Sequence, residues 1–307
     1  MDCKSLKENT SFGPAVISLE VPTSAKMKNI STWLTEGGEF TPTCGNPDTV
    51  AIIVPYRQRE EQLSVFLAHI HPFIMKQGFI HYRIYIVNQV DSLDFNRASL
   101  MNVGFLEALR DFDWSCFIFH DVDHLPEDAR NFYSCTENPR LMAAAVDRWN
   151  YEMLYPTYFG GVVSMKKEQY QKINGASNKF WGWGGEDDDL RNRIIKSGMR
   201  PTIGDRNVSR YSTIRHEPEE KNPNREKVLR EGIGRLENNT LWLLEDQIIF
   251  RFETDGLNSL NYKIHSISYH NLYTNVSVEL NKTEMFYQLF RFYCLFDFFK
   301  PNRKVVK

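Results

Sequence analysis

The chain has 307 residues, of which 42% are hydrophobic, 13% aromatic and 25% charged. With 17 Gly and 13 Pro, this composition excludes collagen-like, coiled-coil and disordered classes and is enough to bury a real core. The 37 basic and 39 acidic residues nearly cancel to −2 and form no basic run, so nothing favours a nucleic-acid partner.

Residues 1–48 are polar and turn-rich with little periodicity, and read as an arm wrapping the surface. Val50-Ala51-Ile52-Ile53-Val54 then reads as a buried strand stopped by Pro55. Leu63, Phe66, Leu67, Ile70, Phe73 and Ile74 recur at helical spacing. A second strand, Ile84-Tyr85-Ile86-Val87, precedes a helix marked by Ala98, Met101, Phe105 and Ala108, and Cys116-Phe117-Ile118-Phe119 makes a third strand. Met142 to Val146 and Gly161 to Ser164 look like further strands. Leu190, Ile194 and Ile195 mark a helix that starts near Glu186 and ends at Gly198.

Apolar strands alternating with helices predict an α/β fold, a largely parallel sheet with helices on both faces. There is no repeat and no obvious linker, so residues 49–280 read as one domain with the arm and a tail, 281–307, as appendages. Phe286 to Phe299, with Gln288 and Arg291 interspersed, reads as an amphipathic helix docking on the domain or, weakly, on a membrane surface. No stretch approaches the roughly 18 to 20 consecutive apolar residues of a membrane helix. Met1-Asp2-Cys3-Lys4 is neither a signal peptide nor an anchor, so the expectation is a cytosolic chain or one that lacks its leader here.

In such sheets ligands sit beyond the carboxyl ends of the strands, which directs attention to the polar residues there. His120-Asp121-Val122-Asp123-His124 follows the third strand, and extended backbone points Asp121 and Asp123 the same way. Two adjacent carboxylates repel unless a cation or donor lies between them, which suits Mg²⁺ or Mn²⁺ holding a diphosphate. His120 and His124 read as surface or packing histidines rather than ligands. A second cluster runs from Phe180 to Asp189, with Trp181, Trp183, three glycines and the four acids Glu186 to Asp189. Glycines free the backbone, and the tryptophans offer flat apolar faces that suit sugar rings. Acids in a first helical turn favour the helix dipole, but four in succession exceed what capping needs. Repulsion raises and the helix terminus lowers their pKa values, which leaves the net poise open. A third element, Ile214-Arg215-His216, gains meaning only if the fold returns it to the Asp123 end of the sheet.

Cys3, Cys44, Cys116, Cys135 and Cys294 form no CxxC pair, which argues against a zinc ribbon or a thioredoxin-type site. Asn-x-Ser/Thr occurs at Asn9, Asn29, Asn207, Asn238, Asn275 and Asn281, against roughly one or two by chance. With four pairable cysteines, the six sequons favour a secretory lumen, where disulfides survive.

The motifs Pro55-Tyr56-Arg57-Gln58-Arg59-Glu60, Phe95-Asn96-Arg97-Ala98, Asp121-Val122-Asp123, Tyr158-Phe159-Gly160-Gly161, Trp181 to Asp189, Ile214-Arg215-His216 and Asp255 to Leu260 occur in this order. Together they resemble the β-1,4-galactosyltransferase family over about residues 12–280. The resemblance implies a GT-A-type fold, a UDP-sugar donor, Mn²⁺, and inversion at the anomeric carbon in the Golgi lumen. It also implies type II membrane anchoring, although this chain shows no anchor. Pro55, Arg57 and Arg59 then line the uridine and phosphate site, and Phe95, Arg97, Asp121 and Val122 are donor contacts. Asp123 and His216 match metal ligands, and Arg148 stands in place of a diphosphate-side lysine. Trp183 resembles a loop tryptophan that closes over the donor. Asp187 matches the general base, with Glu186 near the donor sugar and Asp188 touching the acceptor. Tyr158 occupies a position whose bulk crowds the donor's 2-substituent and borders the acceptor, which implies UDP-galactose over UDP-N-acetylgalactosamine. The family's disulfides map onto Cys3 with Cys44 and Cys116 with Cys135, leaving Cys294 odd.

Thr213 stands where the family has a methionine metal ligand, and it offers a hard hydroxyl or nothing, so the expectation is weaker Mn²⁺ binding and some tolerance of Mg²⁺. The segment between His216 and Asp255 is longer than the family's. The expected activity is galactose transfer from UDP-galactose to the 4-hydroxyl of a terminal N-acetylglucosamine or related sugar on a glycoprotein or glycolipid. The alternatives are a UDP-N-acetylgalactosamine-using transferase and a metal-impaired paralogue that binds sugar or acts as a chaperone. A glycosidase would also use two carboxylates, but it would leave the arginines and the Asp-Val-Asp motif idle.

Overall fold

In the computed structural model, which describes residues 2–9, 11–216, 221–233 and 251–282, the apolar runs form the middle of an eight-stranded sheet. Its centre is β1 (Asp48–Tyr56), flanked in parallel by β2 (Ile80–Gln89) and β3 (Cys116–His120). Alternation along β1 explains its unbroken apolarity. Val50, Ile52 and Val54 join one buried cluster with Phe66, Ile70 and Ile74 of α3 (Glu60–Gln77). Ala51 and Ile53 join another with Leu100, Val103 and Phe105 of α4 (Arg97–Asp111). Both faces are therefore covered, as parallel strands require.

Beyond β3 the sheet continues through β7 (Val162–Lys166), antiparallel to both β3 and β5 (Arg140–Leu141), to β8 (Thr202–Ile203), which is parallel to β5. On the other edge, β11 (Thr274–Leu280) pairs parallel with β2 and antiparallel with β10 (Tyr262–Tyr269). A second, three-stranded sheet joins β4 (His124–Pro126), β9 (Arg210–Thr213) and β6 (Ala145–Val146). The shorter helices are α1 (Cys3–Asn9), α2 (Ser24–Ser31), α5 (Lys167–Lys172), α6 (Glu186–Lys196), α7 (Arg225–Ile233) and α8 (Arg251–Thr254).

Three local expectations need correction. Pro55 does not stop β1, which continues in register with β2 to Tyr56. Pairing with β3 ends at Ile53, so beyond that point the strand is bonded on one side and the missing N–H is tolerated. Of the strand expected over 142–146, only Ala145–Val146 is one, β6 of the small sheet; residues 142–144 are not strand, and β5 of the main sheet ends just before them. The hairpin β10–β11 was not anticipated at all. Disulfides join Cys3 to Cys44 and Cys116 to Cys135, the pairs the resemblance implies. The expected tail helix, Phe286 to Phe299, and Cys294 lie outside the described residues. Among the described residues, no helix is long and apolar enough to cross a membrane.

Candidate active site

The carboxyl ends of β1, β2 and β3 lie side by side, and the loops that follow them interlock. Arg57 donates from Nη1 to the Leu93 carbonyl at 2.7 Å, and its guanidinium lies 5.3 Å from the Phe95 ring centroid. The Arg59 amide donates to the Tyr56 hydroxyl at 3.1 Å. Asn96, fully buried, caps α4 by accepting from the Ser99 amide, and it donates to the Asn178 carbonyl. That cap fixes Arg97, the first residue of α4.

The small sheet closes the opposite wall. β4 and β9 pair antiparallel with His124 opposite Thr213, and the Ile214 amide donates to the Asp123 carbonyl at 2.9 Å. The chain is thereby returned to the Asp123 end of the main sheet, the condition on which His216 becomes meaningful. His216 Nε2 lies 3.2 Å from Asp123 Oδ2, and His124 Nδ1 lies 2.7 Å from Asp123 Oδ1. Arg148 Nη1 is 3.9 Å from Oδ2. Burial of Asp123 disfavours its charged form, but His124 and His216 outweigh it and hold the carboxyl far below the usual range. His120 is instead enclosed between the Tyr133 hydroxyl and the Asp121 carbonyl, each at 2.8 Å. Burial lowers its pKa to about 3, so it is the packing histidine the sequence suggested. His124 is not merely that: it lines the cleft, and its ligand atom and those of Asp121 and Asp123 all lie within 4.8 Å of one another. This set, carboxylate and imidazole together, fits a divalent transition-metal ion. Thr213 takes a different part. Its hydroxyl donates to Asp147 Oδ1 at 2.6 Å and its amide to the same oxygen at 3.0 Å.

The acidic turn opens α6 after a left-handed run in which Gly184 and Gly185 have φ of 103° and 95°. A Cβ on Gly185 would come within 2.7 Å of the Phe180 ring, so the turn has no room for a side chain there. Arg97 bridges this turn to the strand-end acids, donating from Nε to Asp121 at 2.6 Å and from Nη1 to Asp187 at 2.9 Å. Burial pushes the Asp187 carboxyl well above the usual range, with Glu186, Asp121 and Asp188 adding to the rise and Arg97 opposing it. Burial raises Glu186 as well. A Cβ on Gly160 would meet Asp187 Oδ2 at 2.0 Å, so this glycine makes room for the carboxylate. Asp188 accepts from the Tyr155 hydroxyl at 3.0 Å, whereas Asp189 turns inward to Arg193 at 2.6 Å.

One cavity of about 400 Å³ collects every donor, acceptor, catalytic and metal candidate. Pro55, Arg57, Arg59, Phe95, Arg97, Asp121, Val122, Asp123, Arg148, Tyr158, Trp183, Glu186, Asp187, Asp188 and His216 all line it. Sequence reasoning missed Trp149, Leu154 and Tyr155, and also Arg225, Glu226 and Leu229 of α7. The last three carry no motif and reach the cavity only through tertiary contact. There Asn222 donates its amide to the Trp183 carbonyl at 3.0 Å, and Arg225 lies 5.6 Å from the Trp183 ring. Among the described residues, Arg97 Nη2, His124 Nε2 and Glu186 Oε2 are buried without a hydrogen-bond partner. Buried polar atoms of this kind in a cleft wall are poised for a ligand.

Two family models match the chain: the N-terminal region of glycosyl transferase group 7 over residues 3–136, and the N-terminal domain of galactosyltransferase over 140–217. The chain is 41% identical to mouse β-1,4-galactosyltransferase 1 over 80% of its own length, and 40% identical to the Cricetulus griseus β-1,4-galactosyltransferase 4 over 79%. It belongs to the β-1,4-galactosyltransferase family. The match spans 58% of the mouse relative's length and 67% of the Cricetulus one's. Among solved structures, a mutant of Drosophila β-1,4-galactosyltransferase 7 in complex with manganese, UDP-Gal and xylobiose superposes with a TM-score of 0.61 at 27% identity. That match covers 76% of this chain and 95% of the fly chain. The fold is accordingly of the GT-A type.

Proposed function

We propose that the chain transfers galactose from UDP-galactose to the 4-hydroxyl of a terminal N-acetylglucosamine or related sugar, with inversion, in the Golgi lumen. One observation carries this reading: a single cavity holds Asp123 between two imidazoles, five arginines, and Asp187 with a raised proton affinity. The relatives named galactosyltransferases and the fly structure with UDP-Gal support the donor, and its xylobiose supports a sugar acceptor.

In the proposed displacement, Asp187 removes the proton of the acceptor hydroxyl as that oxygen bonds to the anomeric carbon. The bond from that carbon to the β-phosphate oxygen breaks on the opposite face, and UDP leaves. Arg57, Arg59 and Arg148 offset the charge that develops on the diphosphate. Asp123 and His216 would hold Mn²⁺, which supplies Lewis-acid stabilisation of the leaving group when bound. Trp183, at the mouth, covers the donor and limits hydrolysis by water. With no thioether at position 213 the donor set is harder, so Mg²⁺ should support a larger share of the Mn²⁺ rate than in a Thr213→Met variant.

The test is UDP release and product analysis with UDP-galactose or UDP-N-acetylgalactosamine, N-acetylglucosamine or a xyloside as acceptor, and Mn²⁺, Mg²⁺ or chelator. A β-1,4-linked galactosyl product with N-acetylglucosamine, lost in chelator, is expected. Sugar binding with no UDP release from any pair would leave a binding module instead.

A further inference from the structure

We propose that His124 is a protein ligand of the metal, so that the ion is held by two imidazoles and one carboxylate rather than by Asp123 and His216 alone. The assignment rests on the metal-dependent reading above and specifies its ligands. Asp123 is the pivot. Its Oδ1 meets His124 Nδ1 at 2.7 Å and its Oδ2 meets His216 Nε2 at 3.2 Å, so an ion seated on this carboxylate faces an imidazole on either side. His124 is 4% exposed, lines the cleft, and has its ligand atom within 4.8 Å of those of Asp121 and Asp123. Its other nitrogen, Nε2, is buried with no protein partner among the described residues, so no competing hydrogen bond fixes the ring elsewhere. The residue directly across the strand pair, Thr213, is fully buried, does not line the cleft, and directs its hydroxyl to Asp147 instead. Thr213 is thus a positioning residue that ties β9 to the Asp147–Trp149 turn carrying Arg148.

The alternative role for His124 is to orient Asp123 by donating to Oδ1 from outside the metal's first shell. The two differ in what the metal's electron spin detects. Mn²⁺ and UDP are added to the full chain labelled with ¹⁵N-histidine, and pulsed electron paramagnetic resonance counts the coordinated imidazole nitrogens. Two are expected in the wild type, one in His124→Gln and one in His216→Gln. His124→Gln should also weaken Mn²⁺ binding, measured by calorimetry, by at least about tenfold, the lower bound of losses seen even for outer-shell groups. A single coordinated imidazole in the wild type overturns the assignment while leaving the metal-dependent reading intact, and this count stands even if the variants fail to fold. Absence of any bound Mn²⁺, with transfer persisting in chelator, overturns both.

Discussion

Arg97 is the residue through which the two acidic clusters communicate. It holds Asp121 and Asp187 on one guanidinium, so the proposed base is positioned by the same side chain that braces the strand-end acids. Asp187→Asn should lower turnover by roughly 10²- to 10⁴-fold, the usual contribution of a positioned base, while UDP affinity by calorimetry changes little. Equal loss of UDP affinity would count against that role. Because burial raises the folded pKa of Asp187, the working ionised form is populated only as pH climbs through that raised value. The rate should therefore rise with pH and flatten above it, and the midpoint of this limb should move in Asp187→Asn, where Glu186 titrates without its coupled neighbour. Tyr158 is wedged edge-on against Trp149 at 5.3 Å and Tyr155 at 5.6 Å, so its ring is a fixed wall rather than an adaptable one. Tyr158→Leu should raise the ratio of UDP-N-acetylgalactosamine to UDP-galactose turnover. An unchanged ratio would remove Tyr158 from donor selection. The place of Asp123 and Asp187 in the cleft was legible because they sit in motifs at a strand end and a helix start. His124 was not, since a lone histidine beside a motif reads as packing until its neighbours are known.

At the scale of elements, α6 presents Glu186, Asp187 and Asp188 to the cleft only because its other side is pinned. Arg193 donates to Asp189 at 2.6 Å and to Asp255 at 3.1 Å, and also to the Asp255 carbonyl at 2.7 Å. Asp255 in turn accepts from the Ser177 hydroxyl and the Asn178 amide, at 2.5 and 2.9 Å. Arg193→Met would leave two buried carboxylates without their cation, which costs about 3–5 kcal/mol. Urea unfolding should show that loss, and a shift below about 1 kcal/mol would mean the network contributes little. The central strands and main helices were readable because burial on two faces, or on one stripe, writes itself into the order of apolar residues. β10 escaped notice for the converse reason: most of its residues are exposed or half-buried, so it lacks a clean two-residue period. β5 and β6 are two residues each, and which sheet each joins is decided by partners distant in sequence.

Across the whole molecule, stability and chemistry sit at opposite ends of the main sheet. The arm packs at the amino ends of the strands, where Phe40 exchanges hydrogen bonds with Tyr82 and the Asp48 amide donates to the Phe79 carbonyl. The Cys3–Cys44 disulfide closes that end, with 41 residues of sequence separation, and Cys116–Cys135 begins β3 at the same end. None of the four cysteines lines the cavity at the carboxyl ends. Sequons at Asn29, Asn207 and Asn281 are exposed, which agrees with the oxidising lumen proposed for the chain. Replacing Cys3 and Cys44 together by Ser should therefore act on folding and not on the site. In the chain-entropy model a loop of this size accounts for about 4 kcal/mol at most, so urea unfolding should show a loss up to that amount. Well below the unfolding midpoint, UDP affinity in Mn²⁺ should stay within about twofold of wild type, or about 0.4 kcal/mol. A large fall in UDP affinity in protein that is still folded would mean that the arm reaches the cleft, and that the two ends of the sheet are coupled after all.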